Sequence, residues 1–388
     1  YRDQLGDIPT AVAAFEFATN LNNTPEQQLK LARIYIEAGP DYLDKAGTAY
    51  ERLLQEDPQN IEMLRRLLEI QIARQNKDRT WILCTLLDMF HQADEKEKLF
   101  SQRYAQSYTH AKTILTDDLW LKLQSPEESL DINKILAGLG HHLCLYYALP
   151  HKDYGLDRKK KIDIENDRRA FCQAYQYVSK TLLITAIPEL FPREGLPLPI
   201  QLANTKEGTS LLPSWLIEER KFNNMSEPEA AYYFARELVF LRPERLFRRA
   251  APAPTDLFNA LYAAFTVLSP DNAPKLPAGR EKEIDKLKAH IKEFVPTAVI
   301  ESLRPVAARV LQRDFEPEIM RWIHANHRTS LRAATLIACD LRRIVAWVLA
   351  EPDNITSMVA KDRIKEVIRF ALSTEFSELR SHMGLAIS

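Results

Sequence analysis

The first residue with the makings of chemistry is a glutamate in unusual company. In the stretch Glu-Ala-Ala-Tyr-Tyr-Phe-Ala-Arg-Glu-Leu-Val-Phe-Leu-Arg (229–242), Arg236 precedes Glu237, and Leu238, Val239 and Phe240 follow it. A hydrolytic zinc site on a helix needs imidazoles at i and i+4, because that spacing puts both on one face, with the glutamate beside the metal-bound water. Here Arg236, a permanent cation that repels a metal, fills the first position. Phe240, without a donor atom, fills the second. Glu237 alone cannot lower the pKa of a water, so its expected use is an ion pair or a hydrogen bond. His324 and His327 lie at i and i+3 with no carboxylate or cysteine of matching spacing. His141 and His142 are adjacent and point to different helix faces, which suits no shared metal. Arg242, Arg245, Arg248 and Arg249 make the densest basic cluster, which could receive an acidic partner or a phosphate; Glu244 and the proline-rich loop 251–254 favour a solvated turn. Arg158-Lys159-Lys160-Lys161 is followed at once by Asp163, Glu165 and Asp167, a mixed-charge solvated face. Neither a glycine-rich phosphate loop nor a Gly-x-Ser-x-Gly elbow occurs.

The helix that must position Glu237 is well signalled. Ser226-Glu227-Pro228-Glu229 supplies an N-cap serine, a proline in the first turn and a glutamate three residues on, the pattern of a capping box. Phe234, Ala235, Leu238 and Leu241 then form an apolar stripe, with Tyr233, Arg236, Glu237 and Phe240 on the other side. Upstream, Thr-Leu-Leu-Ile-Thr-Ala-Ile (181–187) is β-branched, and prolines at 188, 192, 197 and 199 forbid helix. Short strands are therefore expected over about 181–217, one of them containing Asn204, followed by a short apolar strand or helix at 211–217. Elsewhere, ten glycines and apolar residues at three- and four-residue spacing mark a mainly helical chain. Past Pro252, helices are expected at about 255–268, 280–293, 296–313, 316–350 with a break, and 360–373. Leu336, Ala338, Cys339, Leu341, Val345, Trp347 and Leu349 make a strongly apolar segment, expected to be buried.

The 388 residues suffice for two or more domains, each with its own core. Fifty-two basic against 53 acidic side chains give no net field to attract nucleic acid or an anionic membrane. No run of about 18 apolar residues and no charged-then-apolar leader occurs, so neither membrane insertion nor secretion is expected. Cys84, Cys144, Cys172 and Cys339 are widely spaced in apolar surroundings, which favours a reducing compartment and hence a cytoplasmic protein. The chain opens at Tyr1, without a methionine and already inside a helical pattern, and is expected to be the C-terminal part of something longer.

Residues 29–60 resemble a tetratricopeptide repeat: Ala32 and Tyr35 sit on its first helix, Ala46, Tyr50 and Leu53 on its second, and Pro58 ends it. The interval from Tyr35 to Ala46 is longer than usual, so Pro40-Asp41 is read as an extended turn. A partial unit with Gly6, Ala11, Phe15 and Ala18 precedes it, and a weaker one follows, with Leu64, Leu67 and Leu68, then Thr80, Cys84 and Leu87. Stacked repeats leave a concave surface that binds proteins or peptides, or else brace the next domain.

The order strand, proline-rich turn, strand and helix around Glu237 resembles the core of the H-E-x-x-H zincin metallopeptidases with the ligands replaced. His327 to Leu336 resembles the later ligand helix E-x-x-A-D-R-A-G-L-L through Arg332-Ala333 and Leu336, with His327 at the glutamate position and Leu331 at the aspartate position. From about 115 to the end, the chain is also similar to the C-terminal region of large bacterial tetratricopeptide proteins of myxobacterial type, through Ala235-Arg236-Glu237, Leu241-Arg242-Pro243-Glu244, Arg332-Ala333 and Asp340-Leu341. That family implies no established activity.

Together these resemblances imply a mainly α chain: a helical repeat region over 1–115, then a degenerate zincin-like α+β domain over 116–388 with a small sheet and a C-terminal helical bundle. They imply a non-catalytic bacterial scaffold or adaptor with no cofactor and no metal, in which Arg236, Glu237, Phe240 and His327 are vestigial. It would engage protein partners through the repeats, with Tyr35, Tyr50, Arg242, Arg245 and Arg248 as candidate contacts. The competing readings are a hydrolase that retains Glu237, and a small-molecule sensor using the former cleft.

Overall fold

The computed structural model describes residues 7–104, 108–351 and 358–387. The chain is mainly helical with a small mixed β-region. It divides into two compact units, residues 1–113 with 339–388, and residues 114–338. This differs from the expected division at the C-terminal end, because 339–388 groups with the N-terminal helices. The physical cause is burial: wholly buried Arg380 bonds Asp78, and Arg79 donates to the Leu372 carbonyl at 2.7 Å.

In the first unit, helices Ile8–Leu21, Pro25–Ala38, Ile61–Ala73, Lys77–Met89 and Glu95–Arg103 each begin after an Asp, Thr or Asn whose side chain accepts a first-turn N–H. Leu43–Glu56 instead follows a 3₁₀ turn at Pro40–Tyr42. Ala32 and Ala46 are completely buried, and their small side chains let the two helices that carry them approach closely. Tyr50, Leu53, Leu64, Leu67, Leu68, Cys84 and Leu87 fill the layers around them. Phe15 and Ala18, inward by their spacing, are exposed in the structure; the first helix turns Ala11, Val12 and Thr19 inward instead. Gly6 lies outside the described residues. Enlarging Ala46 to leucine should force the helices apart and cost about 1–3 kcal/mol, read as a lower urea midpoint at unchanged slope.

Helices Leu341–Ala350, Ala360–Leu372 and Thr374–His382 complete this unit. The break expected within 316–350 falls at Cys339, which takes a left-handed φ of 55°. The apolar segment around it is only partly interior. Leu341, Ile344 and Val348 are buried, whereas Leu349 is exposed, because Leu341–Ala350 is amphipathic.

The second unit places Ser214–Ile217 at the centre of a three-stranded sheet, parallel to Glu189–Pro192 and antiparallel to Ile200–Ala203. Leu149–Pro150, Thr205–Glu207 and Ser210–Leu211 form a second small sheet. The stretch 181–187 is not a strand. Helix Ala170–Thr181 runs into it, and Leu183 leaves by a left-handed φ of 54°, so β-branching there is overridden by the helix and its exit turn. Helix Glu227–Leu238 is buried nearly all round rather than along one stripe, because Ala170–Thr181 and Phe315–Ala338 both pack on it. Ser226 caps it without a side-chain hydrogen bond, so the expected capping box does not form. Arg158–Lys160 is an exposed 3₁₀ turn rather than a helix face, its charge met by Glu207.

Candidate functional site

His327, distant in sequence, is brought to Arg236, Glu237 and Phe240 at the C-terminal end of Glu227–Leu238. The α-helix stops at Leu238, and Val239–Leu241 tightens to 3₁₀, so Phe240 stands beyond the regular i+4 position. Helix Pro243–Ala250 then carries two arginines back against the glutamate. Arg249 Nε donates to Glu237 Oε2 at 2.6 Å, and Arg249 Nη2 donates to Oε1. The carboxylate is nearly buried and both its oxygens are engaged, the fork geometry in which arginine binds most firmly. The Arg249 guanidinium also lies 5.0 Å from the Phe240 ring centroid.

On the far side of Phe240, 6.3 Å between ring centroids, lies His327. Arg248 Nη2 sits 3.1 Å from His327 Nε2; a guanidinium can only donate, so Nε2 accepts and a neutral ring carries its proton on Nδ1. Burial, followed by the charges of Arg248, Arg249 and Arg236, holds the His327 pKa well below the ordinary histidine range. Burial, helped by Arg249 and opposed by Glu237, likewise pushes Arg248 down to about 10. Arg236 is placed 5.7 Å from the Tyr232 ring centroid and donates to its hydroxyl at 3.4 Å. Arg236, Arg248 and Arg249 thus all lie close to the neutral imidazole of His327.

The zinc of an intact zincin would not fit these residues. Arg236 and Phe240 occupy the donor positions, Glu237 is clamped, and His327 Nε2 already accepts from Arg248. Among the described residues, no group of three or more His, Cys, Asp or Glu side chains is placed to hold a metal ion. Nor do the thiols offer a nucleophile: burial raises Cys84 and Cys172 to about 12, and raises Cys144 and Cys339 as well.

His327 gives the fold a pH signature. Above the unfolded value of 6.5 the ring is neutral in both states and contributes no slope. Below it the unfolded chain binds a proton that the folded chain refuses, so stability falls as pH drops towards the depressed folded value, by up to about 1.4 kcal/mol per pH unit. Replacing His327 with glutamine should flatten this acid limb by one proton between pH 6.5 and 5, measured by urea denaturation across pH.

The remaining predicted contacts turn inward. Arg245 is wholly buried, with Nη2 2.7 Å from Glu128 and Nη1 bonded to Glu244. Arg242 lies over Trp120 and bonds Glu244 at 2.8 Å and Asp117 at 3.2 Å. The basic cluster is therefore a helix interleaved with carboxylates, not a solvated turn. Tyr50 is buried, so it is not presented at the surface. Tyr35 lines a groove of about 450 Å³ beside Asn20, Gln28, Lys45 and Arg52, and its hydroxyl donates to Glu16 at 2.8 Å. His141 is exposed, and His290 Nε2 lies 2.9 Å from the His142 carbonyl. Sequence reasoning missed Glu128, which lies in an unremarkable Ser-Pro-Glu-Glu-Ser turn and carries no periodic signal.

No helix among the described residues is long and apolar enough to cross a membrane. Compared with models of protein families, with curated protein sequences and with solved structures, the chain matches none.

Proposed function

We propose that this chain is a non-catalytic interaction protein, a scaffold or adaptor built from stacked helix pairs and a domain whose former hydrolytic site has been rebuilt as an ion-pair cluster. The observation that carries this reading is the two-point clamp of Arg249 on Glu237. A general base must be free to take a proton from water within hydrogen-bond reach, whereas both oxygens of this carboxylate are held by a permanent cation. The tetratricopeptide-like spacing of Ala32, Tyr35, Ala46 and Tyr50, and the groove beside Tyr35, support protein partners for the first unit. The free cysteines support a reducing, cytoplasmic setting.

The test has two parts. Elemental analysis of the purified protein should find no stoichiometric zinc, and Glu237→Gln should leave partner capture unchanged. The substitution should cost only stability, about 1–3 kcal/mol, from the buried Arg249 bonds it weakens. One zinc per chain, with a hydrolytic activity that Glu237→Gln abolishes, would instead establish the hydrolase.

A further inference from the structure

The groove of about 450 Å³ in the first unit has helix Pro25–Ala38 as its floor, through Leu31 and buried Tyr35. Its walls are Ile8–Leu21 and Leu43–Glu56, which in the repeat reading are the second helices of two successive pairs. Both walls pack on the floor helix and little on one another, so the space between them stays open. Along one wall, Lys45, Thr48, Ala49 and Arg52 recur at i, i+3, i+4 and i+7 and form a single stripe two turns long, about 10 Å. The connections 22–24 and 39–42 are short, so the three helices alternate in direction. Arg52 therefore shares one end of the groove with Asn20, Asn23 and Gln28, and Lys45 shares the other with Tyr35.

The two ends differ in charge. At the Tyr35 end, both charged lining side chains are met within the fold. Lys45 Nζ lies 2.7 Å from Glu16 Oε1, which also accepts from the Tyr35 hydroxyl, and Asp44 is bridged by Arg74 at 2.8 Å. At the other end Arg52 is exposed, and its guanidinium makes no ion pair or hydrogen bond among the described residues. Its companions there are uncharged amides. Gln28 Nε2 donates to Asn23 Oδ1 at 2.5 Å, which occupies the Asn23 acceptor and leaves its N–H donors unbonded among the described residues. A planar cation beside amide donors, with no carboxylate of its own, is complementary to a carboxylate. The rim next to it is apolar. Phe17 and Leu21, at i−3 and i+1 from Asn20, are 66 % and 73 % exposed.

We propose that this groove receives an acidic segment of a partner protein. One carboxylate of the segment pairs with Arg52 and accepts from the Asn23 amide, an adjoining apolar side chain lies over Leu31 and Ala49, and another meets Phe17. The proposal names the chemistry of the partner for the first unit, and so rests on the reading of the chain as an interaction protein.

The test pans a displayed library of random dodecapeptides on the intact chain, then measures the enriched peptides against Arg52→Glu and Arg52→Lys. Arg52 is exposed and outside the bonding of the fold, so both variants should keep the wild-type melting temperature. Enriched peptides should carry Asp or Glu next to an apolar residue and shift the side-chain amide NMR signals of Asn23 and Gln28. They should bind Arg52→Glu at least about tenfold more weakly at low salt, with Arg52→Lys in between. No enrichment, enrichment of peptides without carboxylates, equal binding to Arg52→Glu, or amide shifts confined to other residues overturns the groove proposal and leaves the interaction reading standing. So does a chain that dimerises, binds no peptide and becomes monomeric as Arg52→Glu, because the occupant is then a second copy. Bound peptides recovered cleaved by mass spectrometry would overturn the non-catalytic reading while keeping the groove.

Discussion

Replacing Arg380 with methionine is expected to destabilise the first unit by about 3–5 kcal/mol. Arg380 is wholly buried. Its Nε and Nη2 donate to the Asp78 carboxylate at 2.9 and 2.7 Å, and Nη2 also donates to the Leu385 carbonyl at 2.8 Å. Its guanidinium lies 5.4 Å from the Trp81 ring centroid and 5.5 Å from that of Phe376. Methionine keeps much of the volume but abandons Asp78 as an unpaired carboxylate out of water, which costs far more than the lost attraction alone. Removing both partners, as Asp78→Leu with Arg380→Met, should therefore be milder than Arg380→Met, and a double-mutant cycle from chemical denaturation isolates the coupling. A loss below about 0.5 kcal/mol for the single variant, the range of ordinary surface substitutions, would show that the pair is reached by water.

The second large effect is expected at Glu128. Its side chain is almost fully buried, paired with Arg245 at 2.7 Å, and it accepts from Asn133 Nδ2 at 2.9 Å and from the Thr329 hydroxyl at 2.7 Å. One carboxylate therefore ties the start of helix Leu130–Tyr147, helix Pro243–Ala250 and helix Phe315–Ala338 together. Glu128→Ala removes three bonds, opens a cavity and leaves Arg245 to Glu244 alone, for a loss of about 3–5 kcal/mol. Hydrogen exchange on the intact chain should show the loosening concentrated in those three helices. Protection unchanged in all three, with an unaltered melting temperature, would refute the assignment of Glu128 as their common tie.

Much of the helical architecture could be read from spacing alone. Ala32 and Ala46 announced close helix contacts, and Pro40-Asp41 announced the turn between them, because small side chains and proline act locally. The expectation failed at Thr181–Ile187, where β-branching argued for a strand but the preceding helix had already claimed the first residue and Leu183 turned the chain out. Local propensity loses there to the burial of Tyr175 and Val178 on the helix. At the candidate site, Arg236, Glu237, Phe240 and His327 were singled out from the order of their surroundings, and the expectation of an ion pair or a hydrogen bond for Glu237 left both the kind of interaction and the partner open. Arg249 was visible only as one of several arginines near an acidic residue and a proline-rich loop, the composition of a solvated turn. What made it structural is a helix that returns Pro243–Ala250 across the glutamate, a long-range fact with no trace in spacing. The same holds for Arg245 and Glu128, whose pairing joins segments more than a hundred residues apart.

The bond between Asp78 and Arg380 spans 302 positions of the chain, whereas the second unit is one unbroken stretch, 114–338. A ribosome therefore delivers every residue of the second unit before it delivers Arg380. Segments made of consecutive residues close cheap, short loops, so the middle of the chain should acquire its exchange-protected amides first, while Asp78 waits in water. Synthesis stalled between residues 338 and 380 should yield a nascent chain in which 114–338 resist protease and the helix carrying Asp78 remains sensitive. The arrival of Arg380 would then act as the fastening step for helix Lys77–Met89.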